Sequence, residues 1–226
     1  MGCYKYNQIK WMNTKNTDNK IPIYKLETKE KVLEYYTSWT KNNQYNLDMV
    51  DCNYIAPKNA AKIFSKHAIN KSINILDAGC GTGLVGQELS KEGFGNLIGA
   101  DLSQDMLNLV PNGLYNKLDL IDLNKQLKYT DNYFDAVICV GTFTYGHVKA
   151  PTLDEFLRIV KTNGLICFTI NEGIYQKYEF DKKIQKLEQN NQWKILELKK
   201  SSYIVNKDVD AWFCVSKKNK NNLNFI

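Results

Sequence analysis

Ile73-Asn74-Ile75-Leu76-Asp77-Ala78-Gly79-Cys80-Gly81-Thr82-Gly83-Leu84-Val85-Gly86 joins a short apolar run to a glycine-rich turn that opens a second apolar segment. The pattern predicts a strand, a tight turn and the start of a helix. Glycine accepts positive φ and lets a ligand lie close to the main chain, so the turn reads as a ligand cradle. A tight turn without a ligand is the alternative, and the entropy cost of so many glycines argues against it. Gly81, Gly83 and Gly86 also satisfy the dinucleotide spacing G-x-G-x-x-G after a strand. Asp77 at the strand end is followed by alternating Gly79, Gly81 and Gly83.

Downstream, strand and helix patterns alternate. Leu84, Val85 and Leu89 continue a helix that stops near Gly93. Leu97 to Ala100 reads as a second strand ending in Asp101, and Ser103 caps a helix carrying Met106, Leu107 and Val110. Asp101 stands about twenty residues past the glycines, where an acid can accept both ribose hydroxyls. Leu114 to Asp122 gives a third strand. Asp122 suits an adenine amino group and Leu123 the ring, with Asp119 competing for the acidic role. Phe134 to Val140 is apolar except for Asp135, as a central strand covered on both faces should be.

Gly141-Thr142-Phe143-Thr144-Tyr145-Gly146-His147 follows at the carboxyl end of that strand, where open α/β sheets bind ligands. His147 is one of two histidines; the other is His67. It fits a general base, or a structural histidine bonded to a loop carbonyl. Thr152 to Val160 then reads as a helix, Lys161 to Gly164 as a turn, and Leu165 to Ile170 as a fifth strand. A helical stretch from Tyr175 to Gln189 precedes Lys194 to Tyr203 and Ala211 to Lys217, which should pair antiparallel across Asn206-Lys207-Asp208.

Upstream, Val32, Leu33, Tyr36 and Trp39 share one helix face, with Thr28 placed to cap it. Pro57 opens a second helix with Ala60, Ala61, Ile63 and Phe64 inward. Tyr35, Tyr36, Trp39, Tyr45 and Tyr54 serve either as packing or as a lid over a ligand. Residues 1–27 read as a disordered segment, 28–70 as a helical cap or lid, 71–218 as the core and 219–226 as a tail. Gly2 and Cys3 invite acylation, but Tyr6 stands where myristoylation wants Ser or Thr.

A chain of 226 residues supports one α/β core with a modest extension. The apolar runs are too short to span a bilayer, and the start lacks a secretory core. A cytoplasmic protein is expected. Six cysteines lie without C-x-x-C pairs, which favours buried thiols over disulfides and leaves no metal site in view. The net charge of +6 comes from dispersed lysines, and Arg158 is the only arginine. Because arginine reads bases bidentately, nucleic acid is not an expected partner.

Asp77-Ala-Gly-Cys-Gly-Thr-Gly, Gly99-Ala-Asp-Leu-Ser with Met106-Leu107, Asp122-Leu-Asn and Cys139-Val-Gly-Thr-Phe-Thr-Tyr-Gly-His147 together resemble class I S-adenosylmethionine (SAM) dependent methyltransferases. Within that class they are similar to the methyltransferase-like protein 27 (Williams-Beuren region 27) group, over roughly Lys29 to Lys217. The resemblance implies a doubly wound, mostly parallel seven-stranded sheet ending in an antiparallel hairpin. It also implies SAM as cofactor, with Asp77, Gly79, Cys80 and Gly81 on its methionine part and Asp101 on its ribose. Leu102, Met106, Asp122, Leu123, Val140 and Tyr36 complete the expected pocket, with His147 as the candidate base and no metal. The expected acceptor is a small molecule with a nucleophilic O, N or S atom, and the expected state a monomer or weak dimer. A non-catalytic SAM-binding regulator and a protein or RNA methyltransferase are the alternatives, as is a dinucleotide oxidoreductase on the glycine spacing alone. Thr162-Asn163 departs from the Pro-Gly common in such proteins, and Tyr145 stands where relatives often have His.

Overall fold

A computed structural model describes Leu26 and residues 28–220. The acylation reading at Gly2 and Cys3, nearly all of the segment 1–27, and the tail beyond residue 220 lie outside the described residues.

Seven strands form one sheet: β1 (Ile75–Ala78), β2 (Leu97–Asp101), β3 (Lys117–Leu120), β4 (Phe134–Phe143), β5 (Val160–Asn171), β6 (Trp193–Ile204) and β7 (Val209–Lys218). Their order is β3-β2-β1-β4-β5-β7-β6. The first five pair in parallel, and β7 pairs antiparallel with both β5 and β6. The expected hairpin is therefore present. The chain leaves β1 toward β2 and β3, then returns to lay β4 on the other side. That reversal opens a crevice at the carboxyl ends of β1 and β4, the place where doubly wound sheets bind ligands.

Among the described residues seven α-helices accompany the sheet: α1 (Lys29–Trp39), α2 (Gln44–Asp51), α3 (Ala56–His67), α4 (Leu84–Lys91), α5 (Gln104–Leu107), α6 (Thr152–Ile159) and α7 (Phe180–Gln189). One apolar layer joins α3 and α4 to the sheet through Ala60, Phe64, Val85 and Leu89. Another joins α6 and α7 through Leu153, Phe156, Ile184 and Leu187. β4 is buried along most of its length, as a strand covered on both faces must be. Cys52, Cys80, Cys139, Cys167 and Cys214 are buried free thiols.

Some boundaries differ from those the sequence predicts. Lys161 to Gly164 belongs to β5, with Asn163 at φ 65, because the strand begins beside Phe134 and bulges before its regular pairing resumes. The helix expected from Tyr175 begins at Phe180; the residues before it are turns, and Glu179 is left-handed. Gln44 to Asp51 adds a short helix that its weak periodicity does not announce. Thr28 caps α1 as expected, its hydroxyl accepting from the Lys31 amide.

Tyr115 is the wedge of the glycine-rich region. Its hydroxyl end lies where a side chain on Gly86 would intrude, its ring borders Gly83 and Gly99, and its hydroxyl donates to Asp77 Oδ2 at 2.6 Å. Replacing Gly86 with Ala puts a Cβ into that hydroxyl. Gly86→Ala should lower stability by about 1–3 kcal/mol, as overpacking does, measured by urea unfolding of the full chain. Gly95→Ala, whose added carbon meets nothing within 4 Å, should leave the transition within about 0.5 kcal/mol of the parent.

Candidate functional site

The crevice is walled by the turn after β1. Gly79, Gly81 and Gly83 all have positive φ, but they face different surroundings. A Cβ on Gly79 would overlap the Thr142 side chain from β4, and one on Gly83 would press on Leu114. At Gly81 the nearest atom is Met106 Cε at 3.5 Å, an ordinary contact. The bare-backbone approach for a ligand thus narrows to Gly81, while its neighbours are small for packing.

Asp101, at the tip of β2, is fixed against this turn. Its Oδ2 accepts the Gly81 amide and its Oδ1 the Ser103 amide, both at 2.9 Å. Burial raises its pKa, and the amides of Ser103, Gly81 and Leu102 oppose that rise. Asp77 is completely buried. Burial pushes its carboxyl up to about 7, the Tyr115 hydroxyl pulls it down, and the Asp101 charge pushes it up again. Its Oδ1 is a buried oxygen without a hydrogen-bond partner. Cys80 is buried behind the turn, and burial carries its thiol well above the ordinary range.

α1 and α2 lie over the strand tips and touch the loop after each of the first four strands. Asn46 Oδ1 accepts from Thr82 Oγ1 at 2.6 Å, and Thr37 Oγ1 donates to Asp105 at 2.6 Å. Lys29 Nζ meets Asp122 Oδ2 at 2.7 Å. Burial would raise the Asp122 pKa, but Lys29 and the Asn124 amide outweigh it and hold the carboxyl below its ordinary range. Tyr36 packs with Trp39 and Tyr45, and its hydroxyl lies 3.1 Å from His147 Nε2.

His147 Nδ1 is 2.6 Å from the Tyr145 carbonyl. A carbonyl can only accept, so Nδ1 carries the proton and Nε2 accepts from Tyr36. Burial holds the imidazole pKa below its usual value, partly offset by the Tyr145 bond. The ring is therefore neutral near pH 7.

Gly79, Cys80, Gly81 and Val140 meet around one small cavity of about 30 Å³, closed on the far side by Tyr45, Tyr54 and Pro57. That is the space of one water, against roughly 300–1,000 Å³ for a small-molecule site. A space of that size does not hold a nucleoside. Met106 touches the turn, and Leu102 lies partly buried between Asp101 and Ser103. Asp122, Tyr36 and His147 are joined to the site through cap contacts and do not line the cavity, and Leu123 is packed beneath α6. Asp119 is occupied by Lys117, Lys128 and Tyr129, which removes it as a rival to Asp122. Pro57, Thr82 and Tyr115 are the positions that linear spacing does not assign to a ligand site, whereas Tyr54, expected as packing or lid, stands on the cavity wall. Among the described residues no group of three His, Cys, Asp or Glu side chains gathers, and no helix is long and apolar enough to cross a membrane.

Residues 76–168 match a family described as a methyltransferase domain. The chain is 33% identical over 168 residues to human methyltransferase-like protein 27, covering 71% of this chain and 67% of that protein. Among solved structures, the methyltransferase assigned as partner of the Haloferax volcanii Trm112 methyltransferase activator is similar, with a TM-score of 0.61 and 17% identity. It spans 82% of this chain and 98% of its own. A Methanococcus maripaludis protein assigned as a SAM-dependent methyltransferase gives a TM-score of 0.58 at 15% identity, covering 86% of this chain and 95% of its own. At such identities the solved structures establish likeness of fold.

The buried Asp77 carboxyl has a testable consequence. With its pKa raised from 3.8 to about 7, the folded chain holds a proton that the unfolded chain has lost. Its contribution is full below the unfolded pKa and is lost as pH rises through the folded one. Asp77→Asn should remove this dependence. In urea titrations between pH 4 and 7, the parent should lose stability relative to the variant with a slope of up to about 1.4 kcal/mol per pH unit.

Proposed function

The chain belongs to the methyltransferase family of class I fold, and from that premise we propose that it moves a methyl group from SAM to an O, N or S atom of a small acceptor in the cytoplasm. The observation that carries this reading is Asp101, clasped by the amides of Gly81 and Ser103 beside the motif glycine where a Cβ would meet only an ordinary contact. A carboxylate with its remaining lone pairs toward the crevice suits two ribose hydroxyls, and the bare peptide at Gly81 suits a close-lying amino-acid tail. Asp122, once released by Lys29, offers an acceptor for an adenine amino group.

When bound, SAM supplies a methyl already made electrophilic by its sulfonium, so the chain's own part is alignment and exclusion of water. Tyr36, Trp39 and Tyr45 exclude water by closing on the strand tips. Neutral His147 holds an unprotonated Nε2 at the same place, shared with the Tyr36 hydroxyl. That nitrogen can take a proton from an acceptor once the cap has moved.

Calorimetric titration of the purified full chain should show binding of SAM and of S-adenosylhomocysteine, and none of NAD. Asp101→Ala should weaken SAM binding by about ten- to hundred-fold, the effect of losing hydrogen bonds to a charged group. No affinity for either sulfur nucleoside, with Asp101→Ala indistinguishable from the parent, would overturn the reading.

A further inference from the structure

Lysines that lie far apart along the chain meet on one side of the sheet. α3 carries Lys58, Lys62 and Lys66 on its exposed line, each four residues from the next, and contains no Asp or Glu. Its opposite face packs Ala60, Ile63 and Phe64 into one apolar layer with Leu165, Phe213 and Val215. Side chains along a strand alternate between the two faces of a sheet. Lys217, two residues beyond Val215, therefore emerges on the α3 side, and so does Lys194, its direct cross-strand partner on β6. Lys199 stands on that side as well, opposite Phe213. All six lysines are exposed.

One acid faces this group from α3 or from these positions of β6 and β7. Glu197 meets Lys199 at 2.7 Å and His67, at the end of α3, at 3.4 Å. Lys199, with His67 and Lys66, outweighs burial and holds the Glu197 carboxyl below its ordinary range. Among the described residues Lys58, Lys62, Lys66, Lys194 and Lys217 form no ion pair. Like charges directly opposite on paired strands are unfavourable, yet Lys194 and Lys217 stand so. Lysines on an edge strand guard it against pairing with other chains. That accounts for Lys194 on β6, but not for Lys217 on the interior strand β7 or for the α3 line.

We propose that this face holds the phosphate backbone of a nucleic acid without reading its sequence. Lysine meets phosphate as a point charge, whereas bidentate recognition of a carboxylate or a base edge belongs to arginine. The face has no arginine, since Arg158 lies on α6 in the layer across the sheet. That lack removes base reading and leaves phosphate contacts open. Along α3 the charges advance by about 6 Å per step, a regular row suited to a regularly charged polymer. A protein interface or a membrane contact needs an apolar centre, and none of the exposed large apolar side chains belongs to α3, β6 or β7. Lys217 is level with Leu165, at the end of the sheet away from the crevice. A polymer held here leaves the crevice open, so the inference stands apart from the cofactor reading.

The test is fluorescence anisotropy of the full chain with short labelled duplexes of DNA and of RNA. At about 50 mM salt at least one duplex should bind, with log K falling against log salt at a slope of about −4, as expected for four to five phosphate contacts. Lys62→Gln with Lys66→Gln, and separately Lys194→Gln with Lys217→Gln, should each flatten that slope by about 2 and weaken binding at least about ten-fold. Lys182→Gln with Lys186→Gln, on α7 across the sheet, should bind like the parent. The inference fails if neither duplex binds at that salt, or if the α3 and strand variants bind like the parent. It fails as well if the α7 variant loses as much as they do, because overall charge then explains the binding. Tighter binding of polyglutamate or of anionic phospholipid vesicles than of either duplex would overturn it in favour of an acidic protein or a lipid surface.

Discussion

The hydrogen bond from Tyr115 to Asp77 sets the geometry of everything around it. At 2.6 Å, inside a region that excludes water, it anchors the end of β1 to the segment before β3. Placing a tyrosine ring there requires that Gly86 carry no side chain. Three elements, β1, β2 and α4, can then close to their observed distance. A buried carboxyl with only one oxygen partnered is costly, and its raised pKa is the electrostatic record of that cost. The fold tolerates it because the bond holds the turn that presents Gly81 and Asp101 to the crevice.

The cap is the second constraint. Its polar contacts with Thr82, Asp105, Asp122 and His147 each fall on a loop that follows a different strand of the sheet. Individually, such partly exposed bonds are weak. Collectively they register α1 and α2 over the crevice, and the stacked aromatics between them provide the apolar area.

Much of the architecture is legible in the chain. The apolar run from Phe134 to Val140, the caps at Thr28 and Ser103, and the Asp77 to Gly86 turn are local patterns with local physical causes. They appear where expected. The start of β5 is different, because a bulge beside Phe134 draws residues with turn-like composition into the strand. The stretch from Tyr175 is apolar enough to read as helix, yet Phe180 and the left-handed Glu179 set the real boundary. In both places a tertiary partner outweighs local propensity.

The sequence by itself determined the alternation of strands and helices, the glycine turn and the acid at the end of the second strand, since each follows from periodicity or from spacing within one βαβ unit; the doubly wound order and a SAM-type ligand were implied by resemblance to a family. Only the tertiary structure decided that Thr142 crowds Gly79, that Tyr115 bonds Asp77, and that Tyr54 and Tyr203 converge on Gly141. The physical reason is distance along the chain. Those assignments depend on side chains 38 to 149 residues apart, and linear spacing carries no information about contacts made only after the sheet has closed.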